Sequence, residues 1–388
     1  MSAYLDHAAA SPLDPRVQAA AAPFLDELFA SPGGVHDGAR RPAEVLEAAR
    51  ASVGALIGAP GEEVIFTSSA TEARNLAVKG LFAANRSLGE RIVTTRVEHP
   101  ATLAACRTAT RDAGEVAEVG VDAEGRVAAD DLAAALDDST VLVAVAHGQG
   151  EIGTVQDVAA LAAAVRARRE EVRVFVDAAE TAGLIPVDVG ALGADAIAIG
   201  GPAIGAPPWS GALWVRPGAR LHPLIEGGLQ EAGKRAGAEC MPAVAAMGAA
   251  AELARAEIGA RSAAMRPLVD RLIDGLLAVP EVRLNGPRRG RLPGHVQVSV
   301  AGVEGEALTL ALALRGVAVS PGSACTAHAG KATPALEAIG LESSWTHSAV
   351  LLTLRWTTTR DEVDAAIAAF GEAVPALRAM SPVAVSGT

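Results

Sequence analysis

Cysteine is scarce: Cys106, Cys240 and Cys325 are the only three in 388 residues. Three thiols without paired spacing exclude a disulfide framework and a cysteine-built metal site, so a reducing, cytoplasmic setting is the expectation. Basic charge is also short, with 33 Lys and Arg against 45 Asp and Glu and a net charge of −12. That balance excludes a general nucleic-acid binder, which needs clustered cations against phosphate. The two densest basic stretches, 166–169 and 288–291, read as solvated helix ends or loops. Long uncharged apolar runs are missing too, which predicts no membrane span, and "MSAYLDHAAASP" does not have the form of a secretion signal.

What is present is a large apolar fraction, 50% of the chain, arranged in a regular alternation. Short β-rich runs at 63–67, 91–95, 140–146, 172–178, 196–200 and 211–215 are separated by helical patterns near 41–57, 71–85, 100–113, 129–137 and 156–169. Wholly apolar strands alternating with helices predict a mostly parallel α/β sheet covered on both faces. A long helical pattern over 242–279, interrupted by Pro267, precedes a change of rhythm. Strands at 281–284, 295–300, near 317–320 and 350–354, with helices at 305–315 and 361–378, predict a smaller α+β unit.

Ligands of open parallel sheets bind beyond the carboxyl ends of the strands. The segments there are "SSATEARNL", "VEHPAT", "HGQGEIG" and "DAAETAG". Small hydroxyl residues leading into a helix make 68–75 a candidate phosphate cradle, and His99, Asp177 and Glu180 are expected to converge on the same crevice. One further segment, "ADAIAIGGPAIGAPPWSGALWV" at 194–215, reads as two strands joined by a Gly- and Pro-rich turn that carries no ionisable side chain.

In this order the segments resemble the cysteine desulfurases, in the class V aminotransferase branch of the fold-type I enzymes that use pyridoxal phosphate (PLP). The likeness runs from "YLDHAAASPLDPRV" through "FTSSATEARNLAVKG", "VEHPATL", "HGQGEIGTVQD" and "VDAAETAG" to "GSACTAH" and "LRWTTTRDEVD". It implies a large domain over 15–255 with a mostly parallel seven-stranded sheet. It also implies a small domain made of 1–14 and 256–388, with 380–388 a loose tail. By the same resemblance Thr71 would bind the cofactor phosphate and His99 would stack on the pyridine ring. Asp177 would pair with the ring nitrogen, and Cys325 would take sulfur from substrate cysteine as a persulfide. Small neighbours and His328 would favour the thiolate of Cys325.

The same comparison shows what is missing. The family's Ser-x-His-Lys segment, whose lysine joins PLP as a Schiff base, falls on Gly200, Gly201, Pro202 and Ala203. A methyl group forms no imine and takes no proton. Glu180 stands where the family has Gln, Ala238 where it has a phosphate-binding Thr, Gly150 where it has Asn, and Leu351 where it has the substrate-binding Arg. "ASP" at 30–32 replaces Gly-Asn-Pro. The chain's three lysines are Lys79, Lys234 and Lys331, and none stands at that position.

The reading is therefore a desulfurase-like protein without covalently attached PLP, which it would bind weakly at most. It would act as a pseudoenzyme in a homodimer or heterodimer, or as a Cys325 persulfide carrier that meets a sulfur-acceptor protein. Two alternatives stay open: an active PLP enzyme with non-covalent cofactor or a substitute lysine, and a crevice reused without PLP through His99, Asp177 and Glu180, with His147 and Glu151. No metal, membrane or nucleic acid is expected.

Overall fold

A computed structural model of the chain describes residues 3–322 and 333–380; Cys325, His328 and Lys331 lie outside them, as does the 381–388 end. Its strands are β1 (Ala3–Tyr4), β2 (Val64–Thr67), β3 (Arg91–Thr95), β4 (Glu115–Val119), β5 (Thr140–Ala146) and β6 (Arg173–Asp177), followed by β7 (Ala196–Gly200), β8 (Gly211–Val215), β9 (Val282–Leu284), β10 (His295–Val300), β11 (Val317–Ala318) and β12 (Ala349–Thr353).

Seven strands form the main sheet in the order β2-β8-β7-β6-β5-β3-β4, and only β8 runs against its neighbours. The period-2 alternation of a strand sends neighbouring side chains to opposite faces. Ile65, Ile92, Leu142 and Phe175 thus enter one apolar layer under the helix Ala70–Asn85. Phe66, Val93, Val143, Val174 and Ile197 enter the other, with the start of the helix Met241–Leu277. Burial of both faces explains why these runs are apolar throughout. The predicted fold-type I architecture is the one observed.

Besides the two-residue β1, β4 is the strand that the apolar runs do not reveal. "EVAEV" carries two glutamates and an alanine, weak strand formers, and it forms an edge of the sheet beside β3. Charge on an edge blocks pairing with further chains. The helix Met241–Leu277 also departs from expectation, continuing through Pro267 as one 37-residue element. An internal proline costs about 3 kcal/mol. Met265, Val269, Leu272, Ile273 and Leu276 are buried around it and offset that cost.

That helix passes from the main core into a second one. There the antiparallel order β12-β10-β9 packs against the helix Arg360–Met380. The chain's first strand joins this second core, with Ala3 paired to Val317 and Tyr4 to Ala318. The crevice between the two cores is where the strand ends converge.

Candidate functional site

Parallel strands β5 and β6 end at Ala146 and Asp177, and the loops after them line a cavity of about 250 Å³. Its wall also includes Arg74, His99, Asp6, Ser320 and Leu351. His99, Asp177 and Glu180 are brought together as the order of segments predicted, and Glu151 joins them.

A residue the sequence reading passed over dominates the floor. Arg74 projects from the helix Ala70–Asn85 and places Nε 2.6 Å from Asp177 Oδ2, with both side chains 3% exposed. Its Nη2 lies 3.5 Å from Glu180 Oε1 and has no hydrogen-bond partner. Asp177 accepts in addition from the Ala179 N–H at 3.1 Å and from the Thr102 hydroxyl at 3.4 Å. Burial alone would lower the Arg74 pKa, but the Asp177 and Glu180 carboxylates outweigh it and hold the guanidinium above its ordinary value. A sequence signal existed. Arg74 interrupts the run Ala70, Ala73, Ala77, Leu81 on the helix face that packs on the sheet, a place where a charge needs a partner.

His99 caps the helix Pro100–Ala109, its Nδ1 accepting from the Ala101 N–H at 3.0 Å. That bond leaves Nε2 to carry the proton of the neutral ring. Burial, with Arg74 nearby, holds the imidazole below its ordinary pKa. Beneath it Glu98 accepts from the Thr95 hydroxyl at 2.7 Å and the Ala146 N–H at 3.0 Å, yet burial still pushes its pKa up to about 8. Burial raises Glu151 to about 7, and its Oε2 has no hydrogen-bond partner. His147 shares a 3.0 Å hydrogen bond with Thr181 and is pushed down to about 4 by burial.

The turn after β7 is a single helical turn, Gly201–Ile204, rather than an open loop. Ala206 N–H donates to Gly201 O at 2.8 Å, and Gly201 N–H to Ser210 O at 3.0 Å. Gly201 has no room for a side chain, because a Cβ there would lie 2.1 Å from Ser210 Oγ. At Gly200 it would lie 2.6 Å from Ala179 O. Pro202 and Ala203 face a separate small cavity of about 30 Å³, which shares Ala8 and Glu180 with the main crevice. Gly200 lines neither. Arg355, from the segment after β12, closes this small cavity and is lowered to about 10 by burial.

Thr71 is exposed in the first turn of its helix and does not line the crevice. The amino end of that helix is already occupied: Ser69 Oγ accepts from the Glu72 N–H at 3.2 Å, and Glu72 accepts from the Ser68 N–H at 2.7 Å. Glu72 in turn pairs with Arg235 at 2.9 Å. Ala238 lines a different cavity of about 220 Å³, beside Ser68 and Arg235. Gly150 and Glu180 are fitted to one another, since a Cβ on Gly150 would lie 3.1 Å from Glu180 Cγ.

The described residues, which do not include Lys331, do not fit a lysine-anchored PLP. Residue 203 offers no amine, and neither Lys79 nor Lys234 lines the crevice or the small cavity beside it. The carboxylate that the resemblance assigns to the ring nitrogen is held by a guanidinium. Among the described residues, no group of three or more His, Cys, Asp or Glu is arranged to hold a metal ion.

Comparison with known proteins places the chain in context. The model of the family "Aminotransferase class-V" matches residues 3–366. The cysteine desulfurase IscS of Dictyoglomus turgidum is 38% identical over 98% of this chain and 96% of its own. IscS 1 of Archaeoglobus fulgidus, also a cysteine desulfurase, is 36% identical over 98% of each. Among solved structures, a NifS-like protein superposes with a TM-score of 0.90 at 28% identity, covering 96% of this chain and 99% of that one. A NifS-like protein from Rickettsia africae gives 0.86 at 26%, over 96% and 99%. Matched along almost its whole length in sequence and in fold, this chain belongs to the class V aminotransferase family, among relatives that are cysteine desulfurases.

Proposed function

We propose that this chain is a desulfurase-like subunit that works in sulfur transfer without carrying out PLP chemistry itself. The observation that carries the reading is Ala203, set in an intact helical turn where the resemblance expects the Schiff-base lysine. Without that amine there is no covalent anchor and no base at the substrate's α-carbon. Leu351, buried in the crevice wall, offers a substrate carboxylate no charge. Losing one such charge-assisted contact costs on the order of 2–5 kcal/mol of affinity.

The sulfur-bearing residue in this reading is Cys325. The chain enters the segment that holds it from Ser320 and Gly322, both of which line the crevice. Its step is a transfer of sulfane sulfur. The Cys325 thiolate attacks the outer sulfur of a donor persulfide, the donor leaves as a thiolate, and Cys325 becomes the persulfide with no net oxidation. A pairing partner, a second copy or a related subunit, would cover the exposed Phe29, Val35 and Leu229, which are 81%, 106% and 90% accessible. The reused-crevice alternative is less well supported, because Arg74 already engages Asp177.

The test is direct. Purified protein is mixed with PLP and L-cysteine, and the visible spectrum and the yield of alanine are followed. The expected result is no protein-bound chromophore and no alanine, with sulfur loading of Cys325 from a low-molecular-weight persulfide and none in Cys325→Ser. A protein-bound imine, or alanine formed at catalytic turnover, overturns the proposal and favours the active-enzyme alternative.

A further inference from the structure

Arg74 is, together with Asp177, the most deeply buried ion pair on the crevice wall, and the function proposed above gives it no task. Apart from Arg74, the ionisable groups on the wall are Asp6, His99, Glu151, Asp177 and Glu180. Arg74 is thus the single guanidinium or ammonium group among the described residues of that wall, set against four carboxyl groups. Its Nε lies at a hydrogen-bond distance of 2.6 Å from Asp177 Oδ2, while Nη2, buried and without a hydrogen-bond partner, lies 3.5 Å from Glu180 Oε1. Asp177 Oδ1 is taken by the Ala179 N–H. A protonated heteroaromatic nitrogen arriving at this carboxylate would meet a fixed cation already in place, and two like charges cannot share one short contact.

We propose that Arg74 is a specificity-determining residue: the chain's own guanidinium takes the place at Asp177 that a protonated ring nitrogen would need, and turns the crevice away from PLP independently of Ala203. This deepens the reading of a chain without PLP chemistry and rests on it. It adds that restoring the amine alone would not restore the cofactor. Two separate features then exclude the ring, one by removing its covalent anchor and the other by occupying its electrostatic partner. The arrangement also solves a folding problem, since an Asp177 left alone in this crevice would be a buried, uncompensated charge.

The experiment compares four proteins by equilibrium dialysis and thermal shift with two probes, PLP and the phosphate-free ring pyridoxamine. They are wild type, Arg74→Ala, Ala203→Lys and the double variant Arg74→Ala/Ala203→Lys. Arg74→Ala should bind both probes at least about tenfold more tightly than wild type, the scale on which a desolvated charge contact acts. Ala203→Lys alone should stay colourless at PLP concentrations where the double variant takes up a visible chromophore. If Arg74→Ala does not fold unaided, Arg74→Gln removes the cation while keeping a neutral donor within reach of Asp177, and it should still bind PLP more tightly than wild type. Equal or weaker probe binding in the folded Arg74 variants overturns the inference, as does full chromophore formation in Ala203→Lys alone. Uptake of PLP as an imine by wild type instead refutes the functional reading beneath it, so the two failures are distinguishable.

Discussion

One wall, the turn Gly201–Ile204 beside the small cavity that adjoins the crevice, is held by backbone hydrogen bonds and by glycines that admit no side chain. On the other, the buried pair Arg74–Asp177, with the half-buried Glu180 beside it, forms an ion-pair cluster that no local backbone pattern requires. The first wall keeps its shape with no ionisable group; the second is almost all charge. The contrast teaches that geometry and chemistry are separable within one site. Backbone packing preserves a turn whether or not a reactive group stands on it. A buried charge persists only while its partner does.

Removing one member of the charged wall should have the largest effect. Arg74→Ala leaves Asp177 buried without its cation, and a loss of about 3–5 kcal/mol is expected in urea unfolding. Arg74→Gln, which can still donate to Asp177, should lose less. A loss under about 1 kcal/mol for Arg74→Ala would show that Asp177 does not depend on Arg74 to compensate its buried charge.

The shaped wall breaks through volume. Gly201→Ala forces a methyl to within 2.1 Å of Ser210 Oγ and should cost about 1–3 kcal/mol. Ala203→Ser, next to it but facing a cavity, should change stability by less than about 0.5 kcal/mol. Equal losses at the two positions would mean that close packing at Gly201 is not what holds the turn.

Beneath the charged wall, pH sharpens the contrast. Burial raises Glu98 from 4.5 in an unfolded chain to about 8, so the folded state holds its proton longer than the unfolded state. Stability from this group is complete at low pH. It falls as pH rises from about 4.5 through about 8, because the unfolded chain releases the proton first. Glu98→Gln should remove that decline, so that its unfolding midpoint gains on wild type across the interval. Parallel pH profiles for the two proteins would contradict it.

The smallest effect joins Gly150 to Glu180. Gly150→Asn should cost about 1 kcal/mol through its approach to Glu180 Cγ, and Glu180→Ala should relieve part of this, with a coupling of about 0.5–1 kcal/mol. Additive losses in the double-mutant cycle would show that the two positions are independent.

Much of the fold was legible because strand and helix periods leave a direct trace in a chain of this composition. The runs at 91–95, 140–146, 196–200, 211–215 and 295–300 coincide with β3, β5, β7, β8 and β10. β4 was hidden by its edge position, where one side of the strand has no partner to demand apolar residues. Of the site, His99, Asp177 and Glu180 could be anticipated from their places after strands, and they do line one crevice. Arg74 could not be assigned a partner, because a lone arginine on a helix says only that some acid must be near it.

By itself the sequence determined the alternation of buried strands and helices, the close-packed turn after β7, and the absence of an amine at residue 203. Those depend on local periodicity and residue identity, which are complete in the chain. Only the tertiary structure decided that Arg74 meets Asp177, 103 residues away. Which acid a buried cation reaches depends on how a helix seats across the sheet, and that is set by the packing of two apolar layers rather than by any neighbour in the chain.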